Sequence, residues 1–273
     1  MNIVIIGCGY VGTAVARLWQ EAGHTVTATT TTPERIPELE KVAQHVVVLR
    51  GDDLETMSNV LKDKQVVLLS VGAKNRTVYE ETYLKTAQTL VTALKEVSTV
   101  KQLIYTGSYA VYGDRQGAWV DETSPISPAN ENGEILHKTE QVLLTAASPQ
   151  RMVCILRIAG IYGPGRTLLR IFKNLAGKTR PGTGEEITNW VHLDDIVGAL
   201  EFIRGQQLGG IYNLSHDVPV TTAELLDGLF ERHGLANVIW DPLTPQVRPY
   251  NARLSNEKLK AAGFSLIHQE ILF

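Results

Sequence analysis

Asn2-Ile3-Val4-Ile5-Ile6-Gly7-Cys8-Gly9-Tyr10-Val11-Gly12 is the stretch that decides the fold. Ile3 to Ile6 are four β-prone apolar residues in a row, the pattern of a strand buried on both faces. Gly7, Gly9 and Gly12 follow at G-x-G-x-x-G spacing, and a helix then opens with Val11, Val15, Leu18 and Trp19 on one face. Strand, glycine turn and helix in this order form the context in which the glycines read as a dinucleotide fingerprint. Gly7 is expected to permit the tight turn, Gly9 to let backbone approach a pyrophosphate, and Gly12 to let helix and strand pack closely. Tyr10 and Val11 complete the turn. Phosphates are expected at the helix N-terminus, where unpaired N–H groups and the helix dipole favour anions. Cys8 reads as a small buried residue within the turn.

The alternation continues outward from this stretch. Strands are expected at 2–6, 25–29, 45–49, 66–71, 102–107 and 152–158, and helices near 11–22, 54–62, 79–97, 134–147 and 194–204. Continuous apolar strands such as Val66-Val67-Leu68-Leu69 indicate a parallel sheet covered on both faces. Alternating β and α elements give an α/β fold with a doubly wound parallel sheet, of the Rossmann type. Residues 113–133 and 163–190, rich in Gly and polar residues, read as long loops, the second around a short apolar helix. Loops of that length are usually functional. The tail carries an expected helix at 222–233, a strand near 237–240 and a helix at 255–262.

With 273 residues the chain fits one large domain or a domain with a small lobe. The net charge is −3 with no basic block, so neither nucleic acid nor an anionic membrane is an expected partner. Cys8 and Cys154 read as reduced thiols of a cytoplasmic protein. No apolar run approaches the ~18 residues of a membrane span. No metal is expected.

An NAD site places an acid about 20 residues beyond the glycines, at the tip of the second strand, to hold the ribose 2′-hydroxyl. Here the tip reads Thr29-Thr30-Thr31-Thr32-Pro33-Glu34-Arg35. The Thr30 and Thr31 hydroxyls with the Arg35 guanidinium suit a 2′-phosphate better, so NADP is expected, with NAD as the alternative. Asp53 is expected either to accept from the adenine amino group or to cap the helix that follows it. Ser70, ending the fourth strand, is expected beside the cofactor.

Four further segments resemble the extended short-chain dehydrogenase/reductase superfamily, the NAD-dependent epimerase/dehydratase family. They are Tyr105-Thr106-Gly107-Ser108-Tyr109-Ala110-Val111-Tyr112-Gly113, Leu156-Arg157-Ile158-Ala159-Gly160-Ile161-Tyr162-Gly163-Pro164-Gly165-Arg166, Trp190-Val191-His192-Leu193-Asp194-Asp195-Ile196 and Ile211-Tyr212-Asn213-Leu214. The resemblance implies a catalytic Ser, Tyr and Lys. Ser108 matches the Ser, and Lys138 is read as the Lys. Four residues before Lys138 stands Glu134 rather than Tyr. That departure resembles the atypical, YeeZ-like subgroup of extended members, as does Ile6 in place of a first glycine. Arg248-Pro249 followed by Arg253-Leu254-Ser255-Asn256 also departs from the Asp-rich pattern of nucleotide-sugar enzymes.

The resemblance assigns residues 1–162 and 191–215 to the Rossmann domain and 163–190 with 216–273 to a small substrate lobe interleaved with it. Tyr162, Arg166, Trp190 and His192 are then expected at a small-molecule substrate. It also implies a homodimer through the helices at 79–97 and 134–147, where Val91, Leu94 and Val97 form an apolar stripe that packing on the sheet would equally explain.

Three functions are open at this point. The first is an NADP-dependent oxidoreductase, epimerase-like, acting on a small carbonyl or alcohol with altered proton chemistry. Tyr79, Tyr83, Tyr109, Tyr112 and His137 are the neighbours that could stand in for the Tyr. The second is a nucleotide-binding redox sensor or scaffold without turnover. The third is a non-redox isomerase or lyase with Glu134 as base. Glu134 and Lys138 also read simply as an i,i+4 helix ion pair of about 0.3–0.5 kcal/mol.

Overall fold

The computed structural model describes residues 1–244 and 250–273, so Arg248-Pro249 lies outside the described residues. The chain divides into two compact units, with Met1–Ser108, Glu131–Arg157 and Val197–Tyr212 in the first and the remainder in the second.

The first unit is built on a seven-stranded parallel sheet. Its strands run, from one edge to the other, Gly210–Leu214, Met152–Ile158, Gln102–Ser108, Val66–Leu69, Asn2–Ile6, Thr25–Thr30 and His45–Val48. Asn2–Ile6 lies inside the sheet, with Ile3 opposite both Val26 and Val66. This explains why it carries no polar alternation: Ile3, Val4 and Ile5 have no exposed surface. Thr27, Thr29 and Thr30 of Thr25–Thr30 are buried too, and β-branching suits them to a pleated surface. The chain winds outward from Asn2–Ile6 in one direction, then returns to start the other half at Val66–Leu69. That reversal is the topological switch point, whose carboxyl side is where ligands of such sheets bind.

The expected helices form at Tyr10–Glu21, Leu54–Leu61, Glu131–Leu144 and Leu193–Gly205. The fifth, expected at 79–97, begins as a π-helical turn at Glu80–Lys85 and becomes α-helical only at Thr86–Leu94. Leu94 and Val97 are buried in the unit's own core and Val91 packs against it. The stripe is therefore engaged in packing on the sheet.

One buried ion pair crosses this core. Arg157, on strand Met152–Ile158, donates to Glu140 of helix Glu131–Leu144 through Nε at 3.0 Å and Nη2 at 2.7 Å. Both side chains are 2% exposed. A bidentate fork satisfies both carboxylate oxygens, which makes burying the two charges tolerable.

The second unit is assembled from short pairings. Asp114–Val120 pairs with Asn251–Leu254, Gly160–Tyr162 with Trp190–His192, Thr179–Pro181 with Ile239–Asp241, and Ile187–Thr188 with Val220–Thr221. Helix Thr222–Arg232 opens on a capping box in which Thr221 and Glu224 exchange hydrogen bonds. Its Leu225, Leu226, Leu229 and Phe230 pack with Tyr162, Leu168 and Val238.

Two expectations change here. Residues 113–133 are not a continuous loop, because they hold strand Asp114–Val120 and the first turn of helix Glu131–Leu144. Residues 109–130 also group with the second unit, not with the sheet, because that strand pairs with residues 251–254 of the tail.

Removing one partner of the buried pair leaves the other charge uncompensated. Arg157→Met is expected to lower unfolding stability by about 3–5 kcal/mol, and Arg157→Met with Glu140→Leu to recover most of it. Urea unfolding of the two variants checks this. Equal losses in both would show that packing, not charge, decides the effect.

Candidate functional site

The glycine turn is held by close backbone contacts. Gly7 has φ +90°, a conformation that favours glycine, and a Cβ there would lie 2.7 Å from the Ser70 carbonyl oxygen. A Cβ on Gly12 would lie 2.7 Å from the Gly7 carbonyl oxygen. Among the described residues, a Cβ on Gly9 would meet nothing within 4 Å. Gly7 and Gly12 are thus required by contact inside the protein, while Gly9 borders open space.

Gly9 is also the N-cap of helix Tyr10–Glu21, with no side-chain cap and no acid in the first turn. A 12-residue helix therefore begins beside the open face of Gly9 with its dipole uncompensated. Neighbouring strand ends complete the cradle. The Gly7 N–H donates to the Thr29 hydroxyl at 3.0 Å, and the Thr106 hydroxyl donates to the Ser70 hydroxyl at 3.2 Å. Cys8 is buried, and burial pushes its thiol up to about 12, so it is a protonated packing group at neutral pH.

The tip of the second strand folds back over this turn. The Thr30 hydroxyl accepts from the Thr32 N–H at 3.1 Å, which closes the tip. Thr31 is exposed. Arg35 reaches the glycine turn itself: its Nη1 donates to the Cys8 carbonyl, and its Nη2 contacts the Thr13 hydroxyl at 3.4 Å. The exposed Glu38 accepts from the same guanidinium, which holds the Glu38 carboxyl below its usual range. Asp53 is a helix cap. It accepts from the Thr56 N–H at 3.0 Å and from the Thr56 hydroxyl at 2.6 Å, and this hydroxyl holds the carboxyl below its usual range. Of its two expected roles, the cap is the one observed.

The first unit thus brings together Gly7, Gly9, Tyr10, Val11, Gly12, Ser70 and Arg35. It does not turn Glu134 and Lys138 toward the sheet. Gly133, Leu136, Thr139, Glu140 and Leu143 are the buried positions of their helix, and at 3.6 residues per turn Glu134 and Lys138 fall on the opposite, exposed face. No ion pair joins the two among the described residues. Helix phase, which the i,i+4 spacing does not reveal, decides which face they take. Ser108 ends strand Gln102–Ser108 and is partly buried.

Sequence reasoning missed Glu140, and it named Tyr83 only as one of several tyrosines that could stand in for the absent one. A charged residue inside the apolar strand Val153–Ile158 was the available signal for a buried partner of Arg157. Tyr83 accepts the Ala73 N–H at 3.3 Å, three residues past Ser70, and burial raises its phenol above the usual range. No residue pattern pointed to that contact.

The four residues expected at a substrate all lie in the second unit. Tyr162 is buried, accepts the Leu272 N–H at 3.0 Å, and packs edge-on against Trp190 and His192. The Trp190 indole N–H donates to the Thr188 hydroxyl at 2.8 Å, and its ring meets Phe172. Arg166 is exposed, and its Nε donates to the Ile161 carbonyl at 3.0 Å. Tyr112 is structural, donating from its hydroxyl to Asn213 at 2.9 Å.

Comparison with known proteins bears on the family and the fold. Residues 3–215 match the family described as the NAD dependent epimerase/dehydratase family. The chain is 34% identical to the protein YeeZ of Escherichia coli K12 over 222 residues, 78% of this chain and 77% of YeeZ. Among solved structures, dTDP-glucose 4,6-dehydratase of Bacillus anthracis in complex with NAD superposes with a TM-score of 0.79 at 18% identity, covering 98% of this chain and 92% of that one. UDP-glucose 4-epimerase of Thermotoga maritima with UDP-glucose gives a TM-score of 0.79 at 21% identity, covering 96% and 92%. At these identities the structural likeness is one of fold.

The glycine contacts separate two kinds of variant. Gly12→Ala must displace backbone and is expected to cost about 1–3 kcal/mol of stability. Gly9→Ala meets nothing and is expected to cost less than about 1 kcal/mol. Thermal unfolding of both variants decides the point, and equal destabilisation would contradict the assignment of Gly9 to open space.

Proposed function

The chain belongs to the NAD dependent epimerase/dehydratase family, and from that premise we propose that its first unit binds a nicotinamide dinucleotide. NADP is preferred over NAD, and the protein acts as an oxidoreductase, epimerase-like, on a small carbonyl or alcohol. The observation that carries this reading is the open face of Gly9 at the uncapped helix N-terminus. A pyrophosphate fits there because backbone N–H groups and the dipole face it and no Cβ intrudes.

Ser70 and Thr106 border the cradle beside Gly7, where the nicotinamide half would run. Arg35 beside the glycine turn supports the choice of NADP: strand Thr25–Thr30 ends without an acid, and a 2′-phosphate would compete with the exposed Glu38 for the guanidinium. The cofactor, when bound, supplies a hydride acceptor or donor.

The protein's own groups would manage the substrate oxygen and its proton. Ser108 is assigned to orient that oxygen. Tyr83 is assigned the proton: its oxygen already accepts the Ala73 N–H, its O–H remains a donor, and a phenol is protonated at neutral pH. Glu134 and Lys138, exposed on the outer face of their helix, are assigned no catalytic role.

Binding and turnover separate the remaining alternatives. The dissociation constant for NADPH is expected to lie roughly ten- to a hundredfold below that for NADH, and Arg35→Ala to abolish the difference, as loss of a charge-assisted hydrogen bond implies. NADPH oxidation with a panel of small carbonyl compounds is expected to slow about 10²- to 10⁴-fold in Tyr83→Phe and to be unchanged in Glu134→Ala. Tight binding without oxidation across the panel would point instead to a nucleotide-binding sensor.

A further inference from the structure

The second unit contains a convergence of lone pairs that the dinucleotide reading does not use. His192 Nδ1 lies 3.3 Å from Asp194 Oδ2, and His268 Nε2 lies 3.4 Å from the same oxygen. All three atoms fall within 4.8 Å of one another. The two imidazoles meet edge to face, with ring centroids 4.2 Å apart. We propose that His192, Asp194 and His268 form a binding site for one divalent transition-metal ion of the zinc class.

The donor chemistry and the spacing agree. Two imidazole nitrogens and a carboxylate suit Zn²⁺ and its neighbours, not Ca²⁺ or Mg²⁺, which prefer oxygen cages. Tetrahedral ligands about 2.0–2.1 Å from an ion stand about 3.3–3.4 Å apart, close to the two separations given above. Three protein ligands leave a fourth position for water.

Hydrogen bonding alone leaves this cluster poorly resolved. The Asp194 N–H lies 3.2 Å from His192 Nδ1, and in the tautomer protonated on Nε2 that nitrogen accepts it. Nδ1 then faces the Asp194 carboxylate lone pair to lone pair, an arrangement a cation would relieve by displacing the amide contact. A third imidazole stands beside the group. His216 is 3% exposed, and its ring stands beside the backbone of His268 and Gln269. Tyr162 packs against both His192 and His216.

The surroundings hold the ligands in place. Asp195 is fully buried and accepts the Ile267 N–H at 2.6 Å and the His268 N–H at 3.2 Å, which fixes the backbone that carries His268. The ion would therefore tie the carboxyl-terminal segment to the start of helix Leu193–Gly205. No spacing rule announces this group, because His192 and Asp194 stand two residues apart while His268 arrives from the tail.

The test uses full-length protein without a polyhistidine tag, stripped with chelator and titrated with ZnCl₂ and separately with CoCl₂. One Zn²⁺ per chain is expected by calorimetry and elemental analysis, with a visible band of tetrahedral Co²⁺. His268→Ala and Asp194→Asn, both at solvent-accessible side chains, are each expected to weaken binding roughly a hundredfold or more. Zn²⁺ is expected to slow proteolysis of the tail in the native protein and not in His268→Ala. Absence of stoichiometric binding, or binding unchanged in both variants, overturns the proposal.

Discussion

The candidate cofactor site depends on one steric constraint: backbone at Gly7 must touch backbone on two sides at once. Ser70 crowds it from the neighbouring strand, and the helix at Gly12 crowds it from the other side. Side chains at Gly7 or Gly12 would push these segments apart. With both contacts in place, the helix axis is pinned against the strand ends, and Gly9 is left facing outward. Sequence, strand pairing and anion chemistry thus meet in three residues. The hydrogen bond from the Gly7 N–H to Thr29 extends the same constraint to the second strand, whose tip carries Arg35 back to the Cys8 carbonyl.

Charge is handled differently in the two units. The first unit buries a complete ion pair, Arg157 with Glu140, whose fork geometry leaves little unsatisfied. The second unit instead gathers His192, His216 and His268 with Asp194 and Asp195, and one Asp194 oxygen faces both His192 and His268. The first arrangement fixes a helix against the sheet and thereby the phase of every residue on that helix. The second sets two imidazoles against a single carboxylate oxygen.

Much of the first unit was legible because its elements are local and strongly patterned. Asn2–Ile6, Val66–Leu69 and Met152–Ile158 are apolar runs, and the glycine roles follow from their spacing. What escaped reading was non-local. Strand Asp114–Val120 is polar and pairs with residues 251–254, so nothing within it announces a strand. Glu134 and Lys138 were readable as one face of a helix, but which face meets the sheet was decided by Leu136, Glu140 and Leu143. Asp53 had two chemically sensible roles, and only the position of Thr56 separated them. The tail's His268 lies 76 residues beyond His192, too far for any spacing rule.

Amide hydrogen exchange, with and without saturating NADPH, tests the central claim most directly, because it reports on backbone N–H groups. Ligand seated at the uncapped helix N-terminus should slow exchange at residues 9–13 and 70–73, leaving the exposed face at Glu134 and Lys138 unchanged. Saturable binding of NADPH with no slowing at residues 9–13 would contradict the account, since the phosphates would then lie elsewhere.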